Sequence, residues 1–123
     1  MSIVEAHDLR KTYRSRTGDV RALDGLTLTV PEGSVRGLLG PNGAGKTTTV
    51  EICEGFIRPD AGTVRVLGMD PVTDRQKVRS RIGMMLQGGG AYPGVRVGEM
   101  LRLVASYYAD PLDPAWLMDE LGL

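Results

Sequence analysis

Apolar and polar residues alternate over Leu26, Thr27, Leu28, Thr29 and Val30, the period of a strand with one buried face. The same period recurs over Thr63-Val64-Arg65-Val66-Leu67-Gly68, and residues 3–30 as a whole read as strands joined by the polar turn Arg16-Thr17-Gly18-Asp19. Two apolar runs, Val35-Arg36-Gly37-Leu38-Leu39 and Ile82-Gly83-Met84-Met85-Leu86-Gln87, read instead as buried core strands. The stretch from Thr47 to Phe56 has no proline and can form a helix. Pro31-Glu32-Gly33 and Pro59-Asp60-Ala61-Gly62 are turns, and Asp70-Pro71 is a helix cap followed by proline at the first helical position. The segment from there to Arg81 is charged with a thin apolar stripe, Val72 and Val78, so its helix is mostly solvent-facing. Beyond residue 90, Val97, Met100, Leu101, Val104 and Tyr108 fall on one helical face. Its start, Arg96-Val97-Gly98-Glu99, keeps the glutamate of a capping box without the hydroxyl. Tyr107 and Tyr108 read as core aromatics, and Asp113-Pro114 opens a last short helix that Gly122 can end.

One stretch changes this picture from architecture to chemistry. Gly40-Pro41-Asn42-Gly43-Ala44-Gly45-Lys46-Thr47-Thr48 fits the phosphate-binding pattern G-x-x-x-x-G-K-[ST] without a gap. Its glycines let backbone N–H groups turn inward and approach phosphate oxygens more closely than a Cβ would permit. Lys46 can then reach the β- and γ-phosphates, the Thr47 hydroxyl is placed to ligate Mg²⁺, and the following helix turns its N-terminal dipole toward the anion. A strand before and a helix after the loop complete the context, and the fold expected is α/β.

The flanking residues choose among the many phosphate-loop families. Gly40 to Thr48 resembles the loop of ABC-type (ATP-binding-cassette) ATPases, and Leu9-Arg10-Lys11-Thr12-Tyr13 resembles that family's opening strand. Ala22-Leu23-Asp24-Gly25-Leu26 onward to Gly33 and Ile82 to Gln87 are similar to two further family stretches, in the family's order. Pro59 to Gly62 and Met85 to Pro93 have the tone of bacterial drug-efflux (ABC-2 type) exporters. The resemblance implies a P-loop NTPase fold in part: an N-terminal antiparallel β subdomain (1–34 and 57–69), a partial RecA-like nucleotide-binding core (35–56 and 70–90) and the start of a helical subdomain (91–123). It implies that Tyr13 stacks on adenine and that Thr48 contacts phosphate or caps its helix. Lys46 and Gln87 then take the catalytic roles, and Thr47 and Gln87 meet Mg²⁺. ATP is the ligand, a membrane-spanning permease subunit the partner, a homodimer the working form, and the cytoplasmic face of the membrane the location.

Composition narrows rather than redirects this reading. The 123 residues carry 15 basic and 15 acidic side chains, so no electrostatic footprint argues for nucleic acid. The single cysteine, Cys53, reads as a small core residue, and His7 as a surface strand residue. Asp119-Glu120 follows a helical pattern and reads as solvated surface rather than as the family's metal-and-base pair. The family's Leu-Ser-Gly-Gly-Gln signature is not among these residues, so the chain is expected to be a truncated cassette that binds nucleotide with negligible turnover by itself. The alternatives are a non-hydrolytic nucleotide-binding fragment that regulates or interferes with an intact subunit, an ABC ATPase that does not serve transport, and a small-molecule P-loop kinase, which would leave Tyr13 and Gln87 without their coordinated placement.

Overall fold

The alternating segments pair into a three-stranded antiparallel sheet in the computed structural model, which describes residues 1–41, 43 and 45–123. Strand β1 (Ser2–Tyr13) lies at the centre, between β2 (Val20–Pro31) and β3 (Ala61–Val66). The β1–β2 hairpin closes at Tyr13↔Val20 around the expected polar turn. Ala6 and Leu9 are both buried although three positions apart, which a regular strand would put on opposite faces. Asp8 resolves this: it takes a left-handed φ of 49°, and the β1–β2 register shifts between Ala6 and Leu9. Aspartate tolerates that region better than most residues, and Thr27 Oγ1 accepts its N–H at 3.0 Å.

The chain divides into two compact units, Met1–Val78 and Arg79–Leu123. The core of the first is Ala6, Leu9 and Leu23 from the hairpin, Val64 and Val66 from β3, Ile52, and Val78. Ile52 comes from helix α1 (Lys46–Cys53), and Val78 from the short helix α2 (Arg75–Arg79). Full burial of side chains such as Leu9, Ile52 and Val78 contributes about 1.5–3 kcal/mol each before entropy is counted. Asp70 Oδ1 accepts the N–H groups of Val72 and Thr73, but these bonds close a turn rather than cap a helix, and the buried Pro71 is not a first helical residue. The helix that follows is shorter than its pattern suggests, because residues 71–74 form turns.

In the second unit, helices α3 (Val97–Ala105) and α4 (Pro114–Leu121) pack together. The Glu99 carboxylate accepts the Arg96 N–H at 3.1 Å, the half of the capping box that the sequence retained. Asp113 caps α4 by accepting from Ala115 N–H at 3.0 Å, Pro114 follows, and Gly122 ends the helix at φ 70°. Leu101, Val104, Tyr108, Leu112 and Leu117 line an apolar groove of about 520 Å³. Tyr107 is 62% exposed, against the expectation that both tyrosines pack inward. Asp119 and Glu120 are exposed, as read.

The largest departure concerns 35–39 and 82–87. Neither run is a strand. Val35 is 96% exposed, Leu39 94% and Met85 99%. A parallel strand needs main-chain partners along its length and cover on both faces, and neither run pairs with a strand among the described residues. Hydrophobicity alone does not hold an isolated strand.

Candidate functional site

The phosphate loop is built where β2 meets α1. Gly45, immediately before α1, has φ 91° and is buried. A Cβ there would stand 2.5 Å from the Ala22 carbonyl oxygen and 2.8 Å from Leu23 Cδ2. Two demands therefore fix glycine at this position, a left-handed backbone and contact with the neighbouring strand. The turn is secured from inside the helix, where Thr49 directs its N–H (2.9 Å) and its hydroxyl (2.7 Å) to the Gly45 carbonyl.

Lys46 is the first residue of α1, and its ammonium donates to the Gly40 carbonyl across the loop. Gly40 and Gly43 have positive φ, and a Cβ on Gly43 would meet nothing within 4 Å. The loop thus opens outward at Gly43 and packs inward at Gly45. Thr47 is exposed on the first turn and Thr48 is buried. Pro41 is exposed in a bend. Asn42 and Ala44, also expected to line the loop, lie outside the described residues.

Tyr13 closes β1 beside this helix. Its hydroxyl is 3.3 Å from Thr48 Oγ1, so the structure brings together the aromatic residue and the phosphate loop that the sequence placed 33 positions apart, counting from Tyr13 to Lys46. Lys11 Nζ stands over the Tyr13 ring at 5.7 Å from its centroid and pairs with Asp60 Oδ1 at 3.4 Å. Asp60 Oδ2 accepts the Thr12 N–H at 2.7 Å, and that bond, assisted by Lys11, holds the carboxyl below the usual carboxylate range. In the sequence Asp60 stands in a turn, and nothing marks Lys11 as a site residue. The signal present was the two-residue spacing of Lys11 and Tyr13 on a strand.

Gln87 belongs to the second unit, exposed in a turn that follows residues 82–86. Cys53 is half-buried, and burial, with Glu54 adding, pushes its thiol above the ordinary value, the opposite of an activated nucleophile. His7 is exposed on β1.

A family profile described as ABC transporter matches residues 23–122, most of the chain. The chain belongs to the ABC transporter family. Among its ABC transporter relatives, the daunorubicin resistance ATP-binding protein DrrA3 of Streptomyces coeruleorubidus is 54% identical over 72 residues, 58% of this chain and 23% of that protein. The daunorubicin/doxorubicin resistance ATP-binding protein DrrA of Streptomyces peucetius is 44% identical over 95 residues, 77% of this chain and 26% of that protein. The Nod factor export ATP-binding protein I of Ralstonia nicotianae is 38% identical and spans 89% of this chain but 33% of its own length. The chain therefore spans about a quarter to a third of the length of these relatives. A solved ATP-binding subunit of an ABC transporter superposes with a TM-score of 0.77 at 27% identity, over 87% of this chain and 43% of that one. The fold is thus part of the ABC cassette, with its antiparallel sheet formed. Members of the ABC transporter family bind ATP, generally with Mg²⁺, and their ATP-binding subunits work with membrane permeases. Among the described residues, no helix is long and apolar enough to cross a membrane.

Proposed function

We propose that this chain is the nucleotide-binding part of the ATP-hydrolysing subunit of an ABC exporter, which couples ATP binding to the export of a drug-like solute. One observation supports the reading above others: Lys46 opens α1 directly behind the glycine loop, with Tyr13 held against the same first turn through Thr48. An ammonium group, the N-terminus of a helix and an aromatic ring meet at one place. Together they suit the two chemically different ends of a nucleoside triphosphate.

The residues fit that ligand. The open side of Gly43 leaves room for phosphate oxygens, and Gly45 keeps the main chain tight against β2. In the proposed complex, main-chain N–H groups of the loop from Gly40 through Asn42, Gly43 and Ala44 to Gly45 receive the phosphates, except at Pro41, whose nitrogen carries no hydrogen. Lys46 transfers its ammonium from the Gly40 carbonyl to the terminal phosphates, and Thr48 serves the phosphate nearer the base. Thr47 would hold Mg²⁺, which when bound offsets charge on the phosphates; the family resemblance alone gives Gln87 a metal-binding role. Tyr13 provides a stacking surface for adenine. A membrane-spanning permease on the cytoplasmic face and a second copy of the subunit complete the proposed assembly. The exporter assignment draws support from relatives named for daunorubicin resistance and Nod factor export.

Isothermal titration of the chain with MgATP tests this reading. We expect saturable binding that Lys46→Ala weakens by at least about tenfold, the scale of losing a charge-assisted contact. Binding that ignores the substitution would overturn the assignment.

A further inference from the structure

Tyr13 is held from two sides, by Thr48 of the phosphate loop and by Lys11, to which nucleotide binding by itself gives no task. Over one face stands the Lys11 ammonium, 5.7 Å from the ring centroid. The Lys11 side chain is only 18% exposed, and its partner Asp60 is fixed in turn by the Thr12 N–H. The side chain is thus largely covered, with its ammonium lying between the Asp60 carboxylate and the ring. At the ring's edge, the phenol oxygen meets Thr48 Oγ1, whose residue is 7% exposed. A buried hydroxyl requires a hydrogen-bond partner, and the structure supplies the phenol. Tyr13 nevertheless remains 38% exposed. The ring is held on one face and at its tip.

We infer that Lys11 and Thr48 are positioning residues for a nucleobase platform. Lys11 covers one face of Tyr13, so a base stacks on the other, and the Thr48 hydroxyl sets the separation between that platform and the phosphate loop. This rests on reading Tyr13 as the surface that receives the base. A ring free to rotate would offer the base two faces at varying distance from the loop. A held ring offers one, at a fixed distance, and so lowers the ordering cost of binding. The ligand class this favours is a nucleoside triphosphate over a bare triphosphate chain.

Two ligands separate the parts of this inference: MgATP, and inorganic tripolyphosphate with Mg²⁺, which lacks a base. Both are titrated into the full chain by calorimetry. Lys11→Met keeps the aliphatic stem and removes the cation; Tyr13→Phe keeps the ring and removes the phenol. Each is expected to weaken MgATP binding about three- to tenfold while leaving tripolyphosphate within about twofold. In a Thr48→Val background, Tyr13→Phe should cost nothing further, because the partner is already gone. MgATP affinity unchanged in both variants, or equal loss of both ligands, would overturn the positioning role. Tyr13→Ala tests the platform itself: wild-type MgATP affinity there removes the base-stacking reading, whereas loss there with intact Lys11→Met and Tyr13→Phe removes the positioning role alone.

Discussion

Asp60 joins the turn before β3 to the ring of Tyr13. Its carboxylate accepts the Thr12 N–H and faces Lys11, and the first of these lowers its pKa most. A carboxyl depressed in the folded state adds stability above its ordinary value of about 4, and that contribution is lost as pH falls through the lower folded value. The urea midpoint of the wild type should therefore drop on acidification across that window, and Asp60→Asn should flatten this part of the profile. Gly45 gives a prediction of another kind. Gly45→Ala would force a Cβ into a left-handed backbone and against the Ala22 carbonyl, so a loss of about 1–3 kcal/mol is expected in chemical unfolding. Gly43→Ala meets open space and differs in that respect, although its φ of 86° carries a strain of its own.

Among elements, α4 is the one whose sequence and structure agree at both ends. Asp113, Pro114 and Gly122 each do what their positions predicted, because caps are local chemistry and need no distant partner. Asp113→Ala should cost α4 about 1 kcal/mol, read as reduced helicity by circular dichroism. The turn at 16–19 was legible for the same reason, whereas Asp70 bonds a turn where the sequence promised a helix start. Residues 35–39 and 82–87 were misread because pairing is a property of neighbours rather than of the run itself. The shift at Asp8 was equally hidden: alternation cannot show where a strand loses its period, and a φ of 49° leaves no mark in the order of residues. At the site, the glycine pattern revealed Gly45 and Lys46, whereas the lysine over the ring depended on a cross-chain partner, Asp60, that spacing could not supply.

For the whole molecule, order is concentrated in Met1–Val78, where β1 is hydrogen-bonded on both sides. Amide exchange should be slowest around Ala6 in β1 and fastest in residues 34–40 and 82–91, which have no regular main-chain pairing. Those segments also expose Val35, Leu39, Met85 and Leu86, the kind of apolar surface that draws molecules together. Replacing Val35 and Met85 by lysine should reduce concentration-dependent light scattering without lowering protection in β1.

The central place of β1 has a kinetic consequence. Its partner on one side is the adjoining hairpin strand, but Val4 finds Val66 on the other side only after the intervening chain has been looped out. That loop contains Gly40 to Thr48. The hairpin can zip early, while docking of the third strand is the slower, non-local event. The cradle for an anion is therefore assembled late, and an early-folding species should have a finished hairpin and no grip on nucleotide.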